Sequence, residues 1–137
     1  MSIFYNMRTS GTALTAERLR MDVISNNIAN SETTRTPQGG PYQRRRVVFS
    51  SLMPQDPGDA GGGVEVSAIL TDTRPGNTVH DPTNPDANAQ GDVTYPNVDI
   101  STEMIDMMSA TRAYEANVVA LQAGKTMAEK ALTITQG

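Results

Sequence analysis

Few residues in this chain have the types and spacing that enzyme or metal chemistry needs. The 137 residues include no Cys and one His, which excludes a thiolate zinc site, a cysteine nucleophile and a multi-histidine metal site. Gly124-Lys125-Thr126 matches the end of a phosphate-binding loop, but the Gly required five positions earlier is Val119. His80-Asp81 would need a third converging group, and the nearby sequence offers Asp72 and Asp86. We therefore expect no catalytic residue, no metal site and no cofactor, and predict that the chain is not an enzyme.

The charged residues favour other interpretations. Arg44-Arg45-Arg46 could contact phosphate or anionic lipid, but the net charge of −4 disfavours general nucleic-acid binding. Residues 1–46 carry +4, residues 47–96 carry −6 and residues 97–137 carry −2. We expect the arginines to form an intermolecular salt bridge, for which the acidic middle of a neighbouring copy is available, or to lie solvated at a strand edge. Glu103 and Asp106 lie near a predicted helix start, where the helix dipole accounts for carboxylates.

Helix-breaking residues divide the chain into three parts. All eight Pro and eight of the eleven Gly lie between Pro37 and Pro96. Over residues 3–30 apolar positions recur at alternating steps of four and three, which predicts a helix of about 28 residues. Leu19 and Val23 lie beside this stripe. We expect the Asn-rich stretch at residues 26–30 to end the helix, because Asn tolerates the left-handed conformation.

The same spacing recurs after Pro96 and predicts a second helix of up to about 35 residues. Asp99 or Ser101 can cap it, and Ile105, Met108 and Val119 form a second apolar edge. The two helices could pack on each other as an internal hairpin, or they could need neighbouring molecules. We favour the second interpretation, because the middle has too few large apolar residues to cover both stripes. On that interpretation the isolated monomer is marginally stable.

The middle of the chain contains two stretches typical of strands. Residues 43–52 include Val47, Val48 and Phe49, and residues 63–70 alternate apolar and polar side chains. Residues 54–63 are rich in Gly and Pro and predict a long connection rather than a tight turn. We expect one small β-hairpin, followed by extended or irregular chain over residues 72–96.

Both ends resemble the terminal motifs of bacterial flagellar rod, hook and hook-associated proteins. The N-terminal resemblance covers residues 10–30 and centres on Asn27-Ile28-Ala29-Asn30, with Thr33 just after. Two local departures are Thr12, where the family usually has Leu, and Ser31-Glu32, where it usually has Ala-Asn. The C-terminal resemblance comprises Asn97-Val98-Asp99, Glu103-Met104, Met107, residues 112–117 and Lys125. Residues 34–46 resemble one proximal rod member of this family more than its sister FlgB.

The resemblance implies a mainly α fold in one structural unit. Residues 1–33 and 97–137 would be long helices packed as a coiled-coil pair, like the D0 layer of the family. Residues 34–96 would form the Gly- and Pro-rich middle, with a β-hairpin and irregular loops.

The resemblance also implies a structural role. The chain would be a subunit of the proximal rod, assembling helically through its terminal helices to transmit torque across the periplasm, and needed for flagellum assembly and motility. The implied partners are FlgB, FlgF, FlgG, FliE, further copies of the chain and the flagellar type III export apparatus, with no nucleic acid, small-molecule substrate or membrane insertion. Because residues 1–14 lack a signal-peptide pattern, we expect export to the periplasmic rod without a cleavable signal. The alternative is a cytoplasmic export cofactor or chaperone for axial proteins.

Three groups of residues are predicted to serve assembly. The subunit-packing residues are Leu14, Met21, Ile24, Ile28, Met104, Met107, Tyr114, Val118 and Leu121. The polar register contacts and family motif residues are Asn27, Asn30, Arg112, Glu115 and Asn117. The lateral contact loop comprises Pro41, Tyr42, Arg44, Arg45 and Arg46.

Overall fold

A computed structural model describes residues 2–53 and 62–135 of the chain. In chain order its elements are α1 (Ser2–Ala29), β1 (Arg45–Ser51), β2 (Val64–Thr71), β3 (Thr78–His80), β4 (Asp92–Thr94) and α2 (Ile100–Thr135). The prediction of two long terminal helices around a small β-hairpin is confirmed. The long connection predicted over residues 54–63 lies mostly outside the described residues.

Helix α1 ends at its Asn-rich stretch, but not through a left-handed residue. Among the described residues only glycines have positive φ, so the expected left-handed Asn is wrong. Instead the side-chain amides donate to carbonyls one turn earlier, from Asn26 to Asp22 O at 2.9 Å and from Asn30 to Asn26 O at 2.9 Å. Both amides thus bond within the last turns of the helix, and the Asn26 carbonyl also accepts from Asn30 N at 3.1 Å.

Helix α2 begins with Asp99 as its N-cap. The Asp99 carboxylate accepts hydrogen bonds from Ser101 N at 3.0 Å and Thr102 Oγ1 at 2.8 Å. The hydrogen bond from Thr102 is the main reason that the pKa of Asp99 is lowered. Of the two predicted caps, Asp99 is therefore the one used, and Pro96 just upstream keeps the helix from starting earlier.

The two helices pack antiparallel along most of their length. A Cβ placed on Gly124 would lie 3.0 Å from Met7 Cγ, Thr111 Oγ1 lies 3.7 Å from Met21 Sδ, and Asn27 hydrogen-bonds Glu103. These contacts run in opposite order along α1 and α2. Six residues precede Met7, whereas the structure describes eleven after Gly124, so the end of α2 extends past the start of α1.

The apolar core is small and lies mostly along α1. The buried apolar side chains among the described residues are Ala16, Val23, Ile24, Val93 and Ala110. Val23, predicted to lie beside the main stripe, is buried at 8% exposure because α1 packs against the hairpin as well as against α2. When a helix packs against two neighbours, residues beside its main apolar stripe are buried as well.

Helix α1 crosses the β1–β2 hairpin diagonally. The strands pair antiparallel from Arg45 opposite Thr71 to Ser51 opposite Val64, with Ser67 left as a bulge. At one end Asn27 of α1 hydrogen-bonds the backbone of Arg45 on the outer edge of β1. At the other end Thr12 Oγ1 accepts from Val64 N at 3.2 Å, on the outer edge of β2. The helix therefore fixes opposite ends of the two strands.

A second small hairpin corrects the prediction for residues 72–96. Strands β3 and β4 pair antiparallel, with Val79 opposite Val93, and Val93 is 1% exposed. The chain between them turns through side-chain contacts: Asp81 Oδ1 accepts from Thr83 N, and Asn88 Oδ1 accepts from both Gln90 N and Asp92 N. These Asx contacts order a segment whose composition suggested only irregular chain.

Candidate functional site

Asn27 lies at the centre of the molecule with its side-chain amide buried, and the residue is 1% exposed. Its Nδ2 donates to Arg45 O at 2.7 Å and to Glu103 Oε2 at 2.9 Å. Its Oδ1 accepts from Tyr42 Oη at 2.9 Å and from Arg45 N at 3.0 Å. All four hydrogen-bonding positions of the amide are used. The amide pairs with both backbone groups of Arg45, as a neighbouring strand would, and links α1, β1 and α2.

A chain of alternating charges extends from this amide. Glu103, which is fully buried, pairs with Arg44 Nε, and Arg44 Nη2 lies 3.4 Å from Asp106 Oδ2. Asp106 Oδ1 in turn lies 3.8 Å from Arg20 Nη2. Because burial of a lone carboxylate is costly, Arg44 is what allows Glu103 to be buried. We call Asn27, Tyr42, Arg44 and Glu103 together the polar clip.

Tyr42 and Arg45 complete the surroundings of the clip. Burial raises the pKa of Tyr42, with Arg45 acting in the opposite direction and Glu103 in the same direction. The guanidinium of Arg45 lies 5.9 Å from the centre of the Tyr42 ring, within reach of a cation–π contact. The phenol of Tyr42 is therefore a neutral donor to Asn27.

Asn97 makes a second link between the hairpin and the segment before α2. Its Oδ1 accepts from Arg44 N at 3.1 Å, and its Nδ2 donates to Asp72 O at 3.5 Å. Nearby, the hydrogen bond from the Arg74 side chain lowers the pKa of Asp72 to about 2. The loop before β1 is held similarly, because Asp86 accepts from Thr34 Oγ1 at 2.8 Å and lies 3.6 Å from Arg35.

The outer face of α2 carries a stripe of large apolar side chains. At about 100° per residue, this stripe lies roughly opposite the side of α2 that bears buried Glu103 and Ala110. Each member is more than half exposed. We call these side chains the outer stripe: Met104, Ile105, Met108, Val119, Met127 and Ile134. Exposed Arg112 and Glu115 lie between Met108 and Val119, and large exposed apolar side chains grouped on one helix in this way mark interaction sites in soluble proteins.

The predicted packing residues fall on two sides of the helix pair. Ile24 is buried, Met104 belongs to the outer stripe, and the other seven are half-buried: Leu14, Met21, Ile28, Met107, Tyr114, Val118 and Leu121. The pattern of steps of four and three therefore located apolar positions but did not separate those facing α1 from those facing outwards.

The predicted polar contacts also separate into two kinds. Asn27 belongs to the clip, whereas the side chains of Asn30 and Asn117 bond carbonyls of their own helix. Arg112 and Glu115 are exposed on α2.

In the lateral contact loop, Arg44 points inwards to Glu103, while Arg45 and Arg46 are exposed and Pro41 is half-buried. The inward ion pair of Arg44 is a difference from the expectation, which treated the three arginines as one group. Glu103 is the central residue that sequence reasoning missed, because the helix dipole already explained a carboxylate there.

The residues first considered for chemistry lie in separate parts of the described chain. Gly124 lies inside α2, where its backbone packs under Met7. His80 pairs with Asp92 at 2.8 Å on the surface rather than with Asp81. No cluster of three or more His, Cys, Asp and Glu able to hold a metal occurs within residues 2–53 and 62–135. Within the same residues, no helix is both long and apolar enough to span a membrane.

Comparison with known proteins places both ends of the chain in rod-protein families. Residues 7–35 match the family model "Flagella basal body rod protein", and residues 89–134 match "Flagellar basal body rod FlgEFG protein C-terminal". The flagellar basal-body rod protein FlgC of Bacillus subtilis is 48% identical, over 98% of this chain and 99% of its own length. Those of Borreliella burgdorferi and Salmonella typhimurium are 44% and 41% identical, over 100% and 93% of both chains.

Proposed function

The chain belongs to the FlgC family of flagellar basal-body rod proteins and is a structural subunit of that rod, and from this premise we propose how it assembles. Its terminal helices pack against those of neighbouring subunits in a helical array, and the array transmits torque across the periplasm. Association with other rod proteins and with its own copies follows from the family. The specific neighbours proposed are FlgB, FlgF, FlgG and FliE.

The outer stripe of α2 is the observation that supports this proposal. Six large apolar side chains, each more than half exposed, lie along α2. Burying the exposed part of each would contribute about 1 kcal/mol, or roughly 6 kcal/mol in total. Association itself costs about 4–15 kcal/mol in lost freedom. One stripe therefore gives a weak pairwise contact, and stable incorporation requires several neighbours at once.

This balance suits a subunit that must not polymerise before it reaches the rod. A free subunit meets one partner at a time, whereas the growing end of a helical array offers several surfaces together. We propose that the chain is exported by the flagellar type III apparatus without a cleavable signal and adds at that end. The polar clip holds the hairpin in one orientation on the helices, so that the middle of the chain can make lateral contacts.

The relatives give no support to the alternative of a cytoplasmic export cofactor, because those reported above are named as rod proteins. The described residues offer no convergent set of catalytic groups, and we propose a purely structural role. No cofactor or small-molecule substrate enters the proposal.

The proposal is tested by placing a charge in the outer stripe. Val119→Asp puts a carboxylate on a side chain that is 64% exposed, so the monomer should keep its far-ultraviolet circular dichroism. The variant should be absent from detergent-extracted basal bodies, and the cells should not swim. Val119→Leu is the matched control, since it keeps the surface apolar and should assemble normally. Normal swimming with Val119→Asp present in basal bodies would contradict packing through this face.

A further inference from the structure

The diagonal path of α1 leaves opposite halves of the two strand edges uncovered. Asn27 covers the outer edge of β1 at Arg45, and Thr12 covers the outer edge of β2 at Val64. Arg45 is opposite Thr71, and Val64 is opposite Ser51, so these two contacts lie at opposite ends of the hairpin. Among the described residues, the halves left without such a contact are residues 47–51 of β1 and residues 69–71 of β2.

The register shows which backbone groups point outwards at these edges. In an antiparallel pair, successive residues alternate between pointing to the partner strand and pointing away. Arg44 O accepts from Asp72 N across the hairpin, whereas both backbone groups of Arg45 point out to Asn27. By the same alternation Val47 points outwards on β1, and Ile69 opposite it points outwards on β2. Each open half-edge therefore presents groups that another strand could pair with.

Exposed apolar side chains accompany both half-edges. Phe49 is 36% exposed, and Ile69 and Leu70 are 46% and 42% exposed. The groove beside β1 is lined by Val23, Ile24, Val47 and Phe49 together with four arginines and the carboxylates of Glu103 and Asp106. Two short open edges with large apolar side chains are what an added strand would cover.

Charge distinguishes between the possible pairings. Arg45 and Arg46 are exposed at the start of β1, and Asp72 follows the end of β2. Pairing of β1 with β1 of a second copy in an antiparallel two-fold centred on Phe49 would place Arg46 of each copy at opposite ends of the contact, opposite Leu52 and without an acid beside it. Pairing of β1 with β2 of a second copy, antiparallel and with Val47 near Thr71, places Arg46 near Asp72 of the second copy, whose carboxylate would then lie between Arg46 and Arg74 of its own chain. Opposite charges at this position favour the second arrangement.

We propose that the open half-edge of β1 in one subunit pairs with the open half-edge of β2 in a second copy, so that the hairpins form a continuous sheet between neighbours. The two edges differ, so the contact is head-to-tail and leaves one open edge at each end of the array. Such contacts generate helical filaments rather than closed dimers. The inference rests on the proposed helical self-assembly, but it uses residues separate from the outer stripe.

A disulfide between two differently marked copies tests the proposal. The chain contains no Cys, so two variants, Phe49→Cys and Ile69→Cys, are co-expressed with different tags as the sole source of the protein. Mild oxidation of isolated basal bodies should give a disulfide-linked pair carrying both tags. Its yield should be at least tenfold above the yield from co-expressed Phe49→Cys and Val79→Cys. Val79 is 48% exposed on the other hairpin, and it serves as the matched control.

Each other outcome overturns the proposal. A disulfide between two Phe49→Cys copies would show two-fold pairing of β1 instead. If basal bodies of swimming cells lack the disulfide between Phe49→Cys and Ile69→Cys copies, the arginines only protect a strand edge. The proposed rod function would still hold in that case. If co-expression prevents assembly, Val47→Pro supplies the second test, since it removes an outward N–H and leaves the hydrogen bonds to β2 intact. Val47→Pro should keep the dichroism of the wild type but not enter basal bodies, and its normal incorporation would exclude edge pairing.

Discussion

Replacing Asn27 by aspartate isolates the contribution of the polar clip. Aspartate has nearly the shape of asparagine, but an ionised carboxylate donates no hydrogen bond. Asn27→Asp removes the bonds to Arg45 O at 2.7 Å and to Glu103 Oε2 at 2.9 Å. It also places a second carboxylate against Glu103, where both side chains are at most 1% exposed. The substitution therefore leaves a buried acceptor without its donor and adds repulsion between like charges.

The expected loss of stability is large for a chain of this size. Disrupting a buried charged arrangement by changing one partner costs about 3–5 kcal/mol, out of a typical total of about 5–15 kcal/mol. At roughly 3–4 °C per kcal/mol, the midpoint of thermal unfolding should fall by about 10 °C or more. The loss should shrink as the pH is lowered, because a proton on the introduced carboxyl group removes the repulsion and restores a donor.

Urea unfolding followed by far-ultraviolet circular dichroism measures the effect, and the adjacent asparagine supplies the control. Asn26 is exposed, and its amide bonds only Asp22 O of its own helix. Asn26→Asp introduces the same charge one residue away and should cost less than about 1 kcal/mol, chiefly through the helix dipole. Equal losses for Asn26→Asp and Asn27→Asp would refute the view that the clip joins hairpin and helices.

Two further predictions concern glycines and a surface carboxylate. Gly76→Ala should lower stability by about 1–3 kcal/mol, because the added methyl would meet the carbonyl oxygen of Tyr95. In the same unfolding assay Gly11→Ala should raise stability by up to about 1 kcal/mol, since no atom outside the helix's own backbone lies within 4 Å of the new methyl. Stability changes of the same sign for Gly11→Ala and Gly76→Ala would contradict the packing at Gly76. Arg74→Ala should return the pKa of Asp72 from about 2 towards 3.8, as followed by NMR titration of its side chain. The interaction is present above pH 3.8 and is lost as the pH falls towards 2, so an unchanged titration curve would exclude Arg74 as its cause.

Local sequence patterns predicted most of the secondary structure. The two helices were found from apolar spacing and from the confinement of all Pro to residues 37–96. The hairpin was found from the run Val47, Val48 and Phe49 in β1 and from the alternation in β2, with bounds within two residues of those observed. The strands β3 and β4 were missed because each has three residues, and their loop is ordered by Asx side chains rather than by an apolar pattern.

The candidate site was predictable only in part. The motif identified Asn27, and the apolar second edge of the C-terminal helix included Ile105, Met108 and Val119, which the structure places on the outer stripe. The roles of Arg44 and Glu103 were not predictable. A helix dipole explains Glu103 and a solvated edge explains Arg44, so neither residue alone signals a buried ion pair.

The sequence by itself determined where the helices and the first hairpin lie and which family the ends resemble, because spacing, helix breakers and short motifs are local properties of the chain. Only the tertiary structure decided that Asn27 meets Arg45 and Glu103, which are 18 and 76 positions away. It also decided that α1 crosses the hairpin diagonally and leaves half of each strand edge open. A hydrogen bond or ion pair between distant residues depends on how whole elements pack, and periodicity within one element does not encode the partner that packing brings to it.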